Sequence, residues 1–135
     1  MVLGALAGAR LHFRVLATPT PAHRQVGRQG QVFWAKSSAQ YLAACQQQIA
    51  LQAPASSPLS GLLSVALESV FPKPKKTILS TPRGDVDNLA KHPLDALRKA
   101  GVIGDDHQIV ELLTVKRWAE PGEYAHCNIW IGGLP

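Results

Sequence analysis

Between Leu11 and Ala17 apolar and polar residues alternate, with Leu11, Phe13, Val15 and Ala17 on one side of an extended chain and His12, Arg14 and Leu16 on the other. A period of two predicts a strand with one buried face. Thr18-Pro19-Thr20-Pro21 leaves that strand in extended form, because each proline steers the residue before it away from helix. His23 to Gln31, with Arg24, Gly27, Arg28 and Gly30, shows no period and reads as a mobile, positive loop. From about Trp34 the interval lengthens. Trp34, Ser38, Tyr41, Leu42, Cys45 and Ile49 recur at the spacing of a helix with one apolar face, and the helix must end before Pro54.

A turn-rich connection, Ala53-Pro54-Ala55-Ser56-Ser57-Pro58, leads to a second strand marked by Leu63, Val65, Leu67 and Phe71. It runs into Pro72-Lys73-Pro74-Lys75-Lys76, which cannot continue a central strand and is expected to project as a basic loop. A second helix is predicted from near Asp87 to Ala100-Gly101, where glycine supplies a left-handed cap. Pro93 inside it removes one backbone bond and should bend the first turns. Ile109 to Trp118 and Tyr124 to Ile131 are strand-like and, joined by Ala119-Glu120-Pro121-Gly122-Glu123, predict a β-hairpin. The resulting fold class is α+β: a small mixed sheet of about four strands, in the order β-α-β-α-β-β, with two helices on one face.

At 135 residues the chain is expected to form one domain. An apolar fraction of 46% against 17% charged excludes the profile of a disordered chain. Met1 to Ala9 is apolar but short and meets Arg10 at once, so it fits neither a signal peptide nor a membrane span and reads as a ragged N-terminal extension. A cytoplasmic protein without a membrane partner is expected. Cys45 and Cys127 have no zinc-ligand spacing and are expected to be reduced packing residues.

Charge is distributed unevenly. Before Asp85 nine bases face a single acid, Glu68, for a charge of +8; from Asp85 onward five bases face eight acids, for −3. Such polarity suits a polyanionic partner or simple solubility, and the acids decide between them. Five of the nine acids lie between Asp85 and Asp106: two in Arg83-Gly84-Asp85-Val86-Asp87-Asn88-Leu89-Ala90-Lys91, two in Gly104-Asp105-Asp106-His107, and Asp95 between these segments. If the chain is extended at Asp85 and Asp87, both carboxylates project to one side and Val86 points to the core. Lys91 follows Asp87 by one helical turn and can reach the same place. Convergence of Asp106 on this pair would complete a hard, all-oxygen site that favours Mg²⁺ or Mn²⁺ over zinc. An ion held there would polarise a phosphodiester and stabilise the departing 3′-oxyanion, with lysine neutralising charge on the phosphorus, which is nuclease chemistry.

Each acid also has a structural role open to it. An isolated Asp before a helix, such as Asp87, is more often an N-cap than a ligand, Asp85 could be merely solvated, and Asp105 and Asp106 suit a turn. Lys91 could pair with Asp87 or Asp95. Asp95 is assigned to the surface pairs with Arg98 and Lys99, and His107 and His126, lacking ligand spacing, to surface or hairpin positions.

Taken jointly, Asp85-Val86-Asp87-Asn88-Leu89-x-Lys91, Leu94-Asp95-Ala96-Leu97 with Lys99-Ala100-Gly101, and Gly104-Asp105-Asp106-x-Gln108-Ile109-Val110 closely resemble the RusA family of Holliday junction resolvases. The resemblance implies a homodimeric, magnesium-dependent endodeoxyribonuclease of DNA recombination and repair that nicks two opposed strands of a four-way junction. It assigns metal binding to Asp85, Asp87 and Asp106, a catalytic role to Lys91, and support of these groups to Asn88 and Gln108. It calls for no small-molecule cofactor. The N-terminal part departs from the family, with Thr18-Pro19-Thr20-Pro21-Ala22-His23-Arg24 in place of its proline-rich stretch followed by asparagines or a Pro-Lys-Gly-Arg run. Other readings are a broader nuclease of flaps or other branches and a DNA-binding module without catalysis. The module is opposed by Asp85, since acids among phosphate contacts repel the backbone. Phosphate contacts are expected from Arg24, Arg28, Lys73, Lys75, Lys76 and Arg83. No interleaving of aromatic and basic residues suggests stacking on single strands, and Trp34 is assigned to the core.

Overall fold

A computed structural model describes residues 10–133 of the chain, so the expected N-terminal extension, residues 1–9, lies outside the described residues. The alternating first segment is strand β1 (Leu11–Val15), with Phe13 and Val15 buried and their neighbours in water. A short antiparallel ribbon follows, β2 (Arg24–Val26) paired with β3 (Val32–Trp34), where the sequence suggested an irregular loop. Helix α1 (Lys36–Gln52) buries Ser38, Tyr41, Leu42, Cys45 and Ile49, the face that the spacing predicted. Then come β4 (Leu63–Phe71), α2 (Val86–Lys99), a single 3₁₀ turn (Asp106–Gln108), β5 (Ile109–Trp118) and β6 (His126–Gly133).

The four long strands form one mixed sheet in the order β1-β6-β4-β5, with β6 antiparallel to both neighbours and β4 parallel to β5. The expected β5–β6 hairpin is therefore absent: β6 is buried along nearly its whole length and needs a strand on each side, whereas β5 lies at the edge. Both helices cover one face. Phe13, Val15, Val65, Leu67, Ile129 and Ile131 of the sheet form a single core with Tyr41, Leu42, Cys45 and Ile49 of α1 and Ala90, Ala96 and Leu97 of α2. Cys45 and Cys127 are free thiols in this core, and burial pushes both up to about 12, so they remain protonated packing groups.

The opposite face is also partly closed, by side chains of the sheet itself. The His12 ring stacks on Trp130 with 5.1 Å between centroids. Asn128 donates to Glu68 Oε1 and accepts from His12, while Arg117 joins Glu68 to Glu123. His126 belongs to this network. It is 3% exposed and lies 3.0 Å from Asn128 Nδ2, so the surface or hairpin position expected for it is corrected.

Parallel strands need a crossover, and here α2 supplies it, giving a β4-α2-β5 unit. The unit sets the direction of α2. Its N-terminus follows the C-terminal end of β4 through the basic loop, and its C-terminus precedes the start of β5. The exit is a Schellman turn: Val102 N donates to Leu97 O, Gly101 N donates to Arg98 O, and Gly101 takes a φ of 78°. Pro93 lies buried within the α2 span, which continues past it to Lys99.

Candidate active site

Asp85 occupies the N-cap position of α2 in extended conformation, yet its side chain makes no capping hydrogen bond. Asp87 stands in the first turn and Lys91 one turn further on. All three are exposed. Among the described residues none of them enters a salt bridge; Asp95 takes Arg98 at 2.7 Å and Lys99 at 3.2 Å, as the spacing predicted. The structural roles open to Asp87 and Lys91 are thus unused. The extended D-x-D geometry does not hold in full, because the helix begins at Val86, which is 36% exposed and does not point into the core.

Two side chains of β5 hold this helix start. Lys116 Nζ donates to Gly84 O at 2.7 Å, and Thr114 Oγ1 donates to Val86 O at 3.3 Å. Gly84 itself turns the chain into Asp85 with a φ of 105°, a left-handed conformation that favours glycine. Neither Lys116 nor Thr114 was singled out in the sequence, because nothing local marks a contact across about thirty residues.

Asp106 lies elsewhere. It opens the 3₁₀ turn before β5, and its nearest ionic partner is Arg98 in the last turn of α2, at 3.9 Å. Its loop is fixed by Gln108, whose Oε1 accepts from Gly104 N and Asp105 N and whose Nε2 donates to Leu59 O and Gly61 O. Asp105 accepts from His107 N and pairs with the exposed His107 ring, so it is a turn residue. The 14 residues of α2 separate Asp85 from this end, a span of roughly 20 Å at 1.5 Å per residue. Within one chain the three acids therefore do not meet, and no group of three potential metal ligands gathers among the described residues.

Asn88, assigned a supporting role, acts through its backbone: Asn88 O accepts from Ala22 N at 2.9 Å and ties the segment before β2 to α2. Beside it His92 is buried, hydrogen-bonded to Ser38 Oγ and edge-on to Trp34 at 4.7 Å. Burial holds its imidazole below the ordinary value; Lys99 and Lys91 act in the same direction and Asp95 opposes them. The six residues proposed for phosphate contact are all exposed, Arg24 and Arg28 on the ribbon and Lys73, Lys75, Lys76 and Arg83 on the loop between β4 and α2. Trp118 Nε1 anchors that loop by donating to Leu79 O.

Two carboxylates and a lysine that enter no salt bridge among the described residues, with a basic loop leading to them, have the composition of a phosphodiesterase centre that works with a hard divalent cation. The chain matches the family endodeoxyribonuclease RusA over residues 13–124, most of its length. It belongs to that family and is a Holliday junction resolvase, a hydrolase of phosphodiester bonds in DNA that acts in recombination and repair. The family is generally metal-dependent. A comparison with curated proteins finds no match. No helix among the described residues is long and apolar enough to cross a membrane.

Proposed function

We propose that the enzyme works as a homodimer on four-way DNA junctions, with each active site built from Asp85, Asp87 and Lys91 of one protomer and Asp106 of its partner. The observation that carries this reading is the direction of the β4-α2-β5 unit, which leaves Asp106 at the far end of α2 from the other two acids. A two-fold copy set against the α2 and β5 side runs in the reverse direction and brings its own Asp106 to the first protomer's Asp85 end. That side supports such contact: β5 is the sheet edge, and Val86, Val110, Leu112 and Leu113 on it are 36 to 50% exposed. Two sites related by a two-fold match two opposed strands, so symmetric nicks follow from the same arrangement.

Three carboxylates, with no thiol or imidazole among them, suit Mg²⁺, and Mn²⁺ by the same donor set. When bound, the ion would supply Lewis acidity at the scissile phosphate and charge stabilisation at the leaving oxygen. Lys91, which enters no salt bridge among the described residues, sets its ammonium over the same place and offsets the charge that grows on the phosphoryl oxygens. Gln108 and Lys116 fix the two backbone segments that carry the acids, so each carboxylate arrives in position without further ordering. Arg83 and the 73–76 lysines bear on the flanking backbone.

Mixing inactive variants tests the assignment. Asp87→Asn and Asp106→Asn proteins are each expected to be dead on a synthetic four-way junction in Mg²⁺. Exchanged together they should regain single-strand nicks, because the mixed dimer has one intact composite site. A mixture as inactive as its parents, with subunit exchange shown by differently tagged chains, would rule out the shared site. Loss of wild-type nicking in chelator and its return with Mg²⁺ tests the metal.

A further inference from the structure

The β2–β3 ribbon carries an exposure pattern that phosphate contact does not explain. Val26 is 72%, Val32 58% and Phe33 46% exposed. The register pairs Val26 with Val32 and Gln25 with Phe33, so the two valines project from one face and Phe33 from the other. A ribbon with apolar side chains on both faces is shaped to enter between two surfaces; one meant to lie flat needs only one such face. Its bases flank this apolar part. Arg24 sits over the Trp34 ring at 4.8 Å, and Arg28 lies in the turn between the strands. From Arg10 to Leu67 the chain has no acidic residue, so the ribbon, β1 and α1 add no negative charge, which suits an occupant that is anionic outside and apolar within.

The ribbon also stands on the catalytic helix. His23 N donates to Ser38 Oγ, Ser38 is bonded to His92, Trp34 packs edge-on against His92, and Ala22 N reaches Asn88 O. Asn88 and His92 follow Asp87 and Lys91 by one residue each. The ribbon is thereby tied to the helix that carries those side chains. In a linear duplex every base-pair face is covered by its neighbour. Where arms of a junction meet, the terminal pairs have open faces, apolar and walled by phosphate.

We propose that the β2–β3 ribbon is a branch-point wedge: Phe33, aided by Val26 and Val32, enters against the open base-pair faces of the junction while Arg24 and Arg28 hold the flanking phosphates. The inference rests on the junction-cleaving reading and goes beyond it by naming what distinguishes branched from linear DNA. The residues that sequence reading passed over as a loop without aromatic and basic interleaving are, in the folded ribbon, interleaved across two strands.

The test uses the full chain and its variants Phe33→Ser, Phe33→Trp and Val26→Ser/Val32→Ser, with Ca²⁺ in place of Mg²⁺ to hold back cleavage. A four-way junction with 2-aminopurine next to the branch competes against a linear duplex of the same arms. Phe33→Ser should weaken junction binding by about tenfold, leave duplex binding unchanged and abolish the 2-aminopurine response. Phe33→Trp should restore both, and the valine pair should show the same selective loss as Phe33→Ser to a smaller degree. Equal loss on junction and duplex, an unchanged 2-aminopurine signal, or altered sedimentation with DNA binding intact would each overturn the wedge; the last would make the ribbon a protein interface. A wild-type chain that perturbs the branch base yet cuts under no divalent metal would leave the wedge standing and remove the cleavage reading.

Discussion

The Lys116 ammonium donates a 2.7 Å hydrogen bond to the carbonyl of Gly84, the residue immediately before Asp85. An edge-strand side chain thus fixes the turn from which the first acid of the proposed site projects. Replacing it by methionine keeps most of the stem and removes the donor. We expect Lys116→Met to cost about 1 kcal/mol of stability and to raise the Mg²⁺ concentration needed for half-maximal cleavage more than it lowers the rate at saturating metal. A metal titration of single-turnover cleavage reads the difference; a fall in rate at all metal concentrations alike would instead assign Lys116 to the reaction itself.

Gln108 uses both ends of its carboxamide, accepting from two backbone N–H groups of the Asp106 loop and donating to two carbonyls of the 59–61 segment. Gln108→Ala should destabilise the fold by about 1–3 kcal/mol, since several polar groups lose partners together. Cleavage should fall further than stability accounts for. Gln108→Glu keeps the acceptors and loses the donors, so its activity should lie between the two. Amide exchange at Gly104 and Asp105 should speed up in the alanine variant, and protection equal to wild type would show that the loop is held by something else.

For His92 the pH dependence has a definite sign. Burial lowers the folded imidazole from its ordinary value of 6.5, so as pH falls the unfolded chain takes up the proton first. Stability rises with pH wherever the unfolded state binds more protons. The contribution is therefore fully present above the unfolded value and is lost as pH drops below it. Urea midpoints measured from neutral pH to about pH 5 should fall more steeply for wild type than for His92→Gln. Parallel slopes would exclude His92 as the group responsible.

Lys75 and Lys76 are exposed on the loop that leads to Arg83. The double change Lys75→Ala/Lys76→Ala should weaken binding to junction and duplex alike and reduce the salt slope by about two counterions. An unchanged slope would mean that neither lysine meets phosphate in the complex.

What the sequence disclosed followed the range of the interactions involved. Helix α1, helix α2 and strands β1 and β4 were legible because their period is written in neighbouring residues, and the Gly101 turn because a left-handed cap has a residue preference. The β5–β6 pairing was misread because Pro121-Gly122 looks like a hairpin turn, whereas the partners of β6 were settled by its burial on both faces, a property of the whole sheet. The three-residue strands of the ribbon are too short to show a period. Asp85, Asp87 and Lys91 could be grouped from the sequence because they occupy the cap and successive turns of one helix. The position of Asp106 depends on which way the crossover runs, which no local pattern encodes.

Strand β6, the last element of the described chain, lies between β1 and β4 in the interior of the sheet. Without it β1 and β4 have no strand between them, and the common core lacks Cys127, Ile129 and Ile131. Assembly of the sheet must wait for His126–Gly133 and then close across 116 residues between His12 and Asn128, a long-range step of the kind that slows folding. A chain cut before His126 would lack the strand that pairs with both β1 and β4, so it is expected to lose the cooperative unfolding transition of the full-length protein.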